Sequence, residues 1–230
     1  MNAIILAAGM GTRLRPLTDD RPKSLVETAG ESFFSRQLRL LAEIGVKDIT
    51  VVTGYRAEAF SPWKGRPGLE FVHNEHYFDR NNLWSMYLVR DRLGGGLVLE
   101  GDVWIGEGVL PGSAPERSSW FVGYRENMRN EWAVRVDQED RVRRIEVTSG
   151  SDWILSGISY WTEADGRFIA ARVAEMAEDP SSFQLFWDEV PRAHLDALDV
   201  RARRIASADW AEIDTLEDRQ ALEAVFAFHH

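Results

Sequence analysis

The chain has 230 residues, of which 44% are hydrophobic, a length and composition suited to one α/β domain with a sizeable core. It carries 27 lysines and arginines against 37 aspartates and glutamates, so a net charge of −10 disfavours nucleic acid or an anionic membrane as a partner. The absence of cysteine excludes disulfides, thiolate nucleophiles and cysteine metal sites. Because no apolar stretch reaches membrane-spanning length and the chain starts with a strand-like run, we expect a cytoplasmic protein.

The first half of the chain alternates short apolar runs with amphipathic segments. The pattern predicts strands at 2–8, 48–53, 69–73 and 96–101, and helices at 33–44 and 83–93. The first strand stops at Gly9-Met10-Gly11, which indicates a tight loop at the end of a buried strand. Continuous apolar strands that alternate with helices are typical of a mostly parallel sheet covered on both faces.

The second half is richer in strands. The pattern predicts strands at 120–124, 132–136, 142–147, 154–161 and 200–205. The turn at 137–140 suggests a hairpin between two of them. Thr162 and Thr215 each begin a predicted helix and are followed three residues later by an aspartate, a variant of the capping box. A further helix is predicted over 183–195.

The chain shows no internal repeat and no linker long enough to separate two independent domains. We therefore expect a single domain, residues 1–230, whose character changes at about residue 105. His229 and His230 resemble the remnant of a purification tag and are left out of any metal hypothesis.

A glycine-rich loop follows the first predicted strand. Gly9 and Gly11 let backbone N–H groups approach an anion, and Arg13 and Lys23 bring cations into a strongly anionic chain. This combination favours a polyphosphate site, although a Gly-x-Gly after a strand can also be a simple tight turn. The loop is not a Walker A motif, and it lacks the third glycine of the dinucleotide fingerprint.

The loop and the segments after it resemble a known family. With Pro16-Leu17-Thr18 and Pro22-Lys23, the loop resembles the signature of nucleoside-triphosphate-dependent nucleotidyltransferases. Within them the chain is similar to the CTP:phosphocholine cytidylyltransferases, through 81–87, 100–102, 130–132, 154–161, 186–188 and 212–214. The resemblance implies an α/β fold with a mostly parallel, Rossmann-like mixed sheet flanked by helices. A nucleotide-binding half, about 1–105, would precede a small β-rich acceptor-binding half, about 106–230.

Two aspartates follow predicted strand ends, and the resemblance implies that both hold Mg²⁺. Asp102 comes after the strand at 97–101, and Asp214 follows the short run 210–213. Carboxylate oxygens suit this hard cation, which also binds substrate phosphates. Alternatively, Asp102 is a solvated turn residue and Asp214 an acid stabilised by the N-terminus of a helix.

The remaining predicted site residues form two groups, one expected to bind the nucleotide and the other expected to bind the acceptor. We expect Arg13 and Lys23 to neutralise the triphosphate during catalysis. Asn82 is a candidate both for reading the base and for capping a helix, and the two roles are compatible. Aromatic rings beside acids are how proteins bind a trimethylammonium group, although the tryptophans could equally be core residues. The expected nucleotide-binding residues are Leu6, Ala7, Ala8, Gly9, Gly11, Thr12, Arg13, Lys23 and Asn82, and the expected acceptor-binding residues are Glu131, Trp132, Tyr160, Trp187 and Asp188.

These expectations combine into a Mg²⁺-dependent cytidylyltransferase that uses CTP and phosphocholine and releases pyrophosphate. The acceptor could instead be 2-aminoethylphosphonate or another phosphonate. The same glycine loop would also suit a sugar-1-phosphate nucleotidyltransferase or a non-catalytic nucleotide-sensing module. The partners are small molecules, with neither nucleic acid nor membrane, and the oligomeric state is not predicted.

Overall fold

A central sheet organises the chain in a computed structural model that describes residues 1–227. The strands are β1 (Asn2–Ala7), β2 (Glu27–Thr28), β3 (Glu31–Ser32), β4 (Ile49–Thr53), β5 (Leu69–His73), β6 (Gly96–Glu100), β7 (Val103–Ile105), β8 (Ser119–Val136), β9 (Val142–Trp161), β10 (Arg201–Ile205) and β11 (Trp210–Glu212). Seven of them form one sheet with the order β10-β8-β9-β6-β1-β4-β5, while β2–β3 and β7–β11 are separate pairs. Neighbours in the large sheet are parallel except β9, which is antiparallel to β6 and β8. The terminal histidines lie outside the described residues.

Helices cover both faces of this sheet. They are α1 (Phe33–Glu43), α2 (Asn82–Val89), α3 (Glu163–Ala177), α4 (Glu189–Ala193) and α5 (Leu216–Ala227). Ile5 of β1 belongs to the same buried cluster as Phe34 and Leu41 of α1, whereas Ile4 packs with Met86 of α2. Successive residues of β1 thus enter two cores, which explains its continuous apolar sequence and confirms the predicted mixed, mostly parallel sheet flanked by helices. In the described part of the chain, no helix has the length and apolar character to cross a membrane.

The predicted helix starts carry the expected caps. Thr162 Oγ1 accepts a hydrogen bond from the backbone N–H of Asp165 at 3.2 Å. At α5 the exchange is reciprocal, because Thr215 Oγ1 accepts from Asp218 N–H at 3.1 Å and Asp218 Oδ2 accepts from Thr215 N–H at 2.8 Å. These bonds satisfy N–H groups that a helix leaves free at its first turn.

The predicted hairpin is present, but its strands are longer than the sequence pattern indicates. The segments 120–124 and 132–136 join into β8, and 142–147 and 154–161 join into β9. Breaks in register between β8 and β9, together with Asn127 and Asn130 at positive φ, interrupt the alternation of apolar residues. The sequence pattern therefore divides each continuous strand into two.

The helix predicted over 183–195 is wrong, because only α4 is helical there. The carbonyls of Phe183 and Leu185 accept hydrogen bonds from the backbone N–H groups of Asn81 and Leu83, at 2.7 and 3.3 Å. Those carbonyls accept hydrogen bonds from the start of α2 and not from N–H groups of a helix over 183–195. This tertiary contact brings residues 183–188 to the functional site.

Candidate active site

The glycine loop lies at the C-terminal end of β1 and packs against Lys23. Gly11 has a φ of 58°, in the left-handed region, and a Cβ there would lie 2.9 Å from Lys23 Cβ and 3.1 Å from Thr18 Cγ2. Thr18 Oγ1 also donates to the Gly11 carbonyl at 2.8 Å. Glycine is therefore required at position 11 for both conformation and space.

A cavity of about 330 Å³ adjoins this loop, at the carboxyl ends of β1 and β6. Such a crevice is where ligands bind in open α/β sheets. Its remaining wall comes from the β5–α2 connection and from α2, including Asn74, Tyr77 and Ser85. All the residues expected to bind the nucleotide line it: Leu6, Ala7, Ala8, Gly9, Gly11, Thr12, Arg13, Lys23 and Asn82.

Lys23 and the two predicted metal ligands form one ionic cluster in this cavity. The Lys23 ammonium lies 2.7 Å from Asp102 Oδ2 and 2.6 Å from Asp214 Oδ1, and Arg13 Nη2 lies 2.9 Å from Asp214 Oδ2. Burial acts to lower the pKa of Lys23, but the two carboxylates outweigh it and raise that pKa above its ordinary value. The structure thus brings both aspartates and both cations together.

A third carboxylate, Glu212, completes an acidic cluster that the sequence analysis missed. One oxygen from each of Asp102, Glu212 and Asp214 lies within 4.8 Å of the others. Burial and then the neighbouring aspartates raise the pKa of Glu212 to about 8. The alternation along 210–214 could have identified it, because residues two apart in an extended segment share a face. Three carboxylate groups without thiol or imidazole ligands fit a hard divalent cation.

Both polar atoms of the Asn82 side-chain amide form hydrogen bonds. Its Nδ2 donates to Glu100 Oε1 at 3.1 Å, and its Oδ1 accepts from the backbone N–H of Trp187 at 2.8 Å. The residue that caps α2 is Asn81, so the capping alternative for Asn82 is wrong by one position. Asn82 joins α2, β6 and the segment that carries Trp187 at the boundary of the cavity.

A second cavity of about 440 Å³ continues from the first, and Arg13, Asn82, Glu100, Asp102, Phe186 and Asp214 line both. It also contains three of the expected acceptor residues, Glu131, Trp132 and Asp188. Burial raises the pKa of Asp188 to about 7, although Trp120 Nε1, which donates to its Oδ1 at 2.8 Å, opposes the shift. Burial also raises the pKa of Glu100 well above its ordinary value. Burial thus favours the uncharged forms of both carboxyl groups in this cavity.

The other two expected acceptor residues do not line this cavity. Trp187 is 2% exposed, its ring packs against Trp161, and its Nε1 donates to Glu100 Oε1 at 3.2 Å. Tyr160 is 3% exposed and lies on β9 between β6 and β8. The core alternative thus describes Trp187, and the expectation that Tyr160 lines the acceptor site is wrong because its side chain is buried within the sheet.

Phe186 is the aromatic residue that the sequence analysis missed. Its side chain is 47% exposed, and its ring centroid lies 6.0 Å from that of Trp132 in an edge-to-face arrangement. It directly precedes the buried Trp187, and sequence alone does not reveal which of the two rings faces the cavity. With Glu131 and Asp188, the two rings place aromatic side chains and carboxyl groups in the lining of this cavity.

Comparisons with known proteins show the family to which the chain belongs. Residues 3–103 match the MobA-like NTP transferase domain. The chain is 34% identical to the choline-phosphate cytidylyltransferase of Streptococcus pneumoniae, over 98% of both proteins. It is 30% identical to the 2-aminoethylphosphonate cytidylyltransferase of Lancefieldella rimae, over 99% of this chain and 94% of that protein. A solved structure of CTP:phosphocholine cytidylyltransferase from Streptococcus pneumoniae matches with a TM-score of 0.93 and 34% identity, over 98% of both chains. The chain is thus a nucleotidyltransferase and belongs to the family that includes the choline-phosphate cytidylyltransferases.

Proposed function

We propose that this enzyme transfers CMP from CTP to phosphocholine in the presence of Mg²⁺ and releases pyrophosphate. The observation that carries the proposal is the continuity of the two cavities, which share Arg13, Asp102 and Asp214. One offers a glycine loop and cations for a triphosphate, and the other offers rings and carboxylates for a quaternary ammonium group. The full-length similarity to choline-phosphate cytidylyltransferases supports the same assignment.

The two halves of the single domain have different tasks in this proposal. Residues about 1–105 bind the nucleotide, and the nucleotide cavity draws all of its lining from them apart from Phe186 and Asp214. Residues about 106–230 bind the acceptor, chiefly through β8, β9 and the segment before α4. Strand β6 of the first half pairs with β9 of the second, and the carboxylates at and just after its end, Glu100 and Asp102, line both cavities.

The reaction requires alignment and charge neutralisation. An oxygen of the acceptor phosphate attacks the α-phosphorus, a new P–O bond forms, and the bond to the leaving pyrophosphate breaks in line with it. No general base is needed because the phosphate is already ionised at neutral pH. The glycine loop donates backbone N–H groups, while Lys23 and Arg13 neutralise charge on the triphosphate.

The acidic cluster would hold the metal. Asp102, Glu212 and Asp214 would supply its protein oxygen ligands, and Mg²⁺ when bound neutralises phosphate charge and polarises the α-phosphate. The Lys23 ammonium now balances two of these carboxylates. With these carboxylates holding a cation, Lys23 would be available to interact with the nucleotide.

A direct test is pyrophosphate release from CTP and Mg²⁺ with a panel of acceptors. Trimethylammonium has no N–H donor and depends on aromatic faces and nearby negative charge, so we expect phosphocholine to be preferred over phosphoethanolamine by about 5- to 30-fold in kcat/KM. Trp132→Leu should reduce this preference and leave CTP affinity nearly unchanged. Trp153→Leu, outside the acceptor cavity, serves as the matched control.

Each competing activity has its own outcome in this panel. Preference for 2-aminoethylphosphonate or phosphoethanolamine would contradict the aromatic site and favour the activity for which the Lancefieldella rimae relative is named. Turnover of hexose 1-phosphates with UTP or dTTP would indicate a sugar nucleotidyltransferase. Binding of CTP without turnover of any acceptor would indicate a sensing module.

A further inference from the structure

Among the described residues, three cationic side chains line the nucleotide cavity. Carboxylates neutralise two of them. Lys23 is bonded to Asp102 and Asp214, and Arg13 is bonded to Asp214. The third, Arg80, forms no ion pair within the described part of the chain, and its Nε is buried without a hydrogen-bond partner. A guanidinium that lines a cavity without an acceptor of its own is suited to receive one from a ligand.

Two aromatic rings hold the Arg80 side chain in place. Its guanidinium carbon lies 3.9 Å from the ring centroid of Trp84 and 3.9 Å from that of Phe183. The neighbouring acid, Asp79, is instead bonded to His76 Nδ1 at 3.2 Å. Stacking covers the faces of the guanidinium and leaves its N–H edge for hydrogen bonds, so little conformational entropy is lost when a ligand binds.

The rings are themselves fixed, because the segments that carry them are bonded together. The Asn81 N–H donates to the Phe183 carbonyl at 2.7 Å, and Asn81 Nδ2 donates to the Gln184 carbonyl at 3.1 Å. Gln184 Nε2 returns a hydrogen bond to the Asp79 carbonyl at 2.9 Å. Arg80 therefore stands in a rigid frame at the wall of the cavity.

The position of Arg80 in the fold points to the nucleoside and not to the triphosphate. The glycine loop follows β1 and Asp102 follows β6, whereas Arg80 lies in the connection after β5. In the sheet β5 is two strands from β1, a distance of about 10 Å. Because Tyr77 and Arg80 of this connection line the same cavity as the glycine loop, a nucleotide whose phosphates bind that loop has room for its base beside Arg80.

We infer that Arg80 selects cytosine, by donating two hydrogen bonds from its guanidinium edge to O2 and N3 of the base. This inference depends on the proposed cytidylyltransferase function. Cytosine presents acceptors at both positions, whereas uracil carries an N–H donor at N3 that would oppose an arginine N–H. The same contact therefore binds CTP and disfavours UTP.

The test compares Arg80→Leu and Arg80→Lys with the intact enzyme. Binding of CTP and of UTP is measured by calorimetry, and KM and kcat are measured for both nucleotides with phosphocholine. We expect CTP affinity to fall about 10-fold or more and the CTP-to-UTP preference to fall with it, while the KM for phosphocholine is unchanged. Arg80→Lys keeps the charge but loses the pair of parallel N–H donors, so the CTP-to-UTP preference should fall in that variant as well.

Arg90→Leu is the matched control. Arg90 stacks on Tyr87 at 4.3 Å, but it does not line the nucleotide cavity. Unchanged CTP affinity and CTP-to-UTP preference in folded Arg80→Lys would overturn the inference, whatever happens to Arg80→Leu. If the intact enzyme binds CTP selectively but does not use phosphocholine, the proposed acceptor fails, and the calorimetry still decides the role of Arg80.

Discussion

Lys23 lies between two carboxylates, and its buried ammonium is held by Asp102 and Asp214 at 2.7 and 2.6 Å. Its charge is therefore held beside Asp102 and Asp214, which line both cavities. The same three side chains neutralise one another in the ligand-free protein and form the proposed site of nucleotidyl transfer. Substitutions among them should separate these contributions.

Lys23→Ala should lower turnover by two or more orders of magnitude while the protein stays folded. One well-placed donor to a developing phosphate charge contributes about 3–4 kcal/mol to the transition state. Pyrophosphate release measures turnover, and circular dichroism checks the fold. Arg15→Ala is the control, because Arg15 is an exposed cation of the same loop. Near-normal release by Lys23→Ala would exclude the catalytic role.

Asp102→Asn, Asp214→Asn and Glu212→Gln should each raise the Mg²⁺ concentration needed for activity, by about 10-fold or more. Each substitution preserves shape but removes a charged oxygen ligand of a hard cation. Titration of activity against Mg²⁺ and calorimetry with Mn²⁺ measure the effect. The exposed Asp196→Asn is the control. A residue whose substitution leaves both titrations unchanged is not a ligand.

At the scale of secondary-structure elements, α1 holds the turn that carries Asp102. Gln37 is fully buried, and its Nε2 donates to the carbonyls of Glu100 at 2.9 Å and Val103 at 3.0 Å. These carbonyls belong to the end of β6 and the start of β7, so one amide joins both sides of the turn. The Gly101 N–H donates to the Leu6 carbonyl at 2.8 Å and ties the turn to β1.

Gln37→Leu should lower the free energy of unfolding by on the order of 2 kcal/mol, because two buried carbonyls lose their donor. It should also weaken Mn²⁺ binding, since the turn that positions Asp102 is released. Urea unfolding and calorimetry measure the two effects. Asn2→Leu is the control, because Asn2 donates to the Arg92 carbonyl at 2.7 Å away from the active-site turn. Equal Mn²⁺ affinity in Gln37→Leu and the intact protein would limit Gln37 to a purely structural role.

At the scale of the whole molecule, a chain with a net charge of −10 gathers carboxylates around one cavity. Glu100, Asp188 and Glu212 have raised pKa values because burial disfavours their charged forms. Without a bound cation, the fold is thus less stable than it would be if neutral side chains lined this cavity. The proposed function and the stability of the fold therefore place opposite demands on this cavity.

Asp188→Asn should stabilise the protein at alkaline pH and weaken phosphocholine binding. Since the pKa of Asp188 rises from 3.8 to about 7 on folding, the folded chain retains a proton that the unfolded chain releases. Stability therefore falls as the pH rises between these values, and the loss is complete above about pH 7. The asparagine variant should gain on the order of 4 kcal/mol well above that pH and nothing near pH 4, since each unit of pKa difference corresponds to about 1.4 kcal/mol. Urea unfolding across this range measures it, and a gain independent of pH would contradict the assignment.

The amino-acid sequence by itself determined the features that depend on neighbours along the chain. The glycine loop after β1 needs small residues at the strand end, Thr162 and Thr215 cap helices through the residue three positions on, and the 137–140 turn closes the hairpin. The strands of the parallel part have continuously apolar sequences because both of their faces are covered. Each of these depends on local conformation or periodicity, which the sequence records directly.

The tertiary structure alone decided which side chains meet in the cavities. Hydrogen bonds from α2 hold residues 183–185 outside a helix, which leaves Phe186 at the acceptor cavity and Trp187 in the core. Glu212 joins Asp102 because β11 pairs with β7, more than 100 residues earlier in the chain. These outcomes depend on contacts between distant segments, whose geometry no local pattern contains.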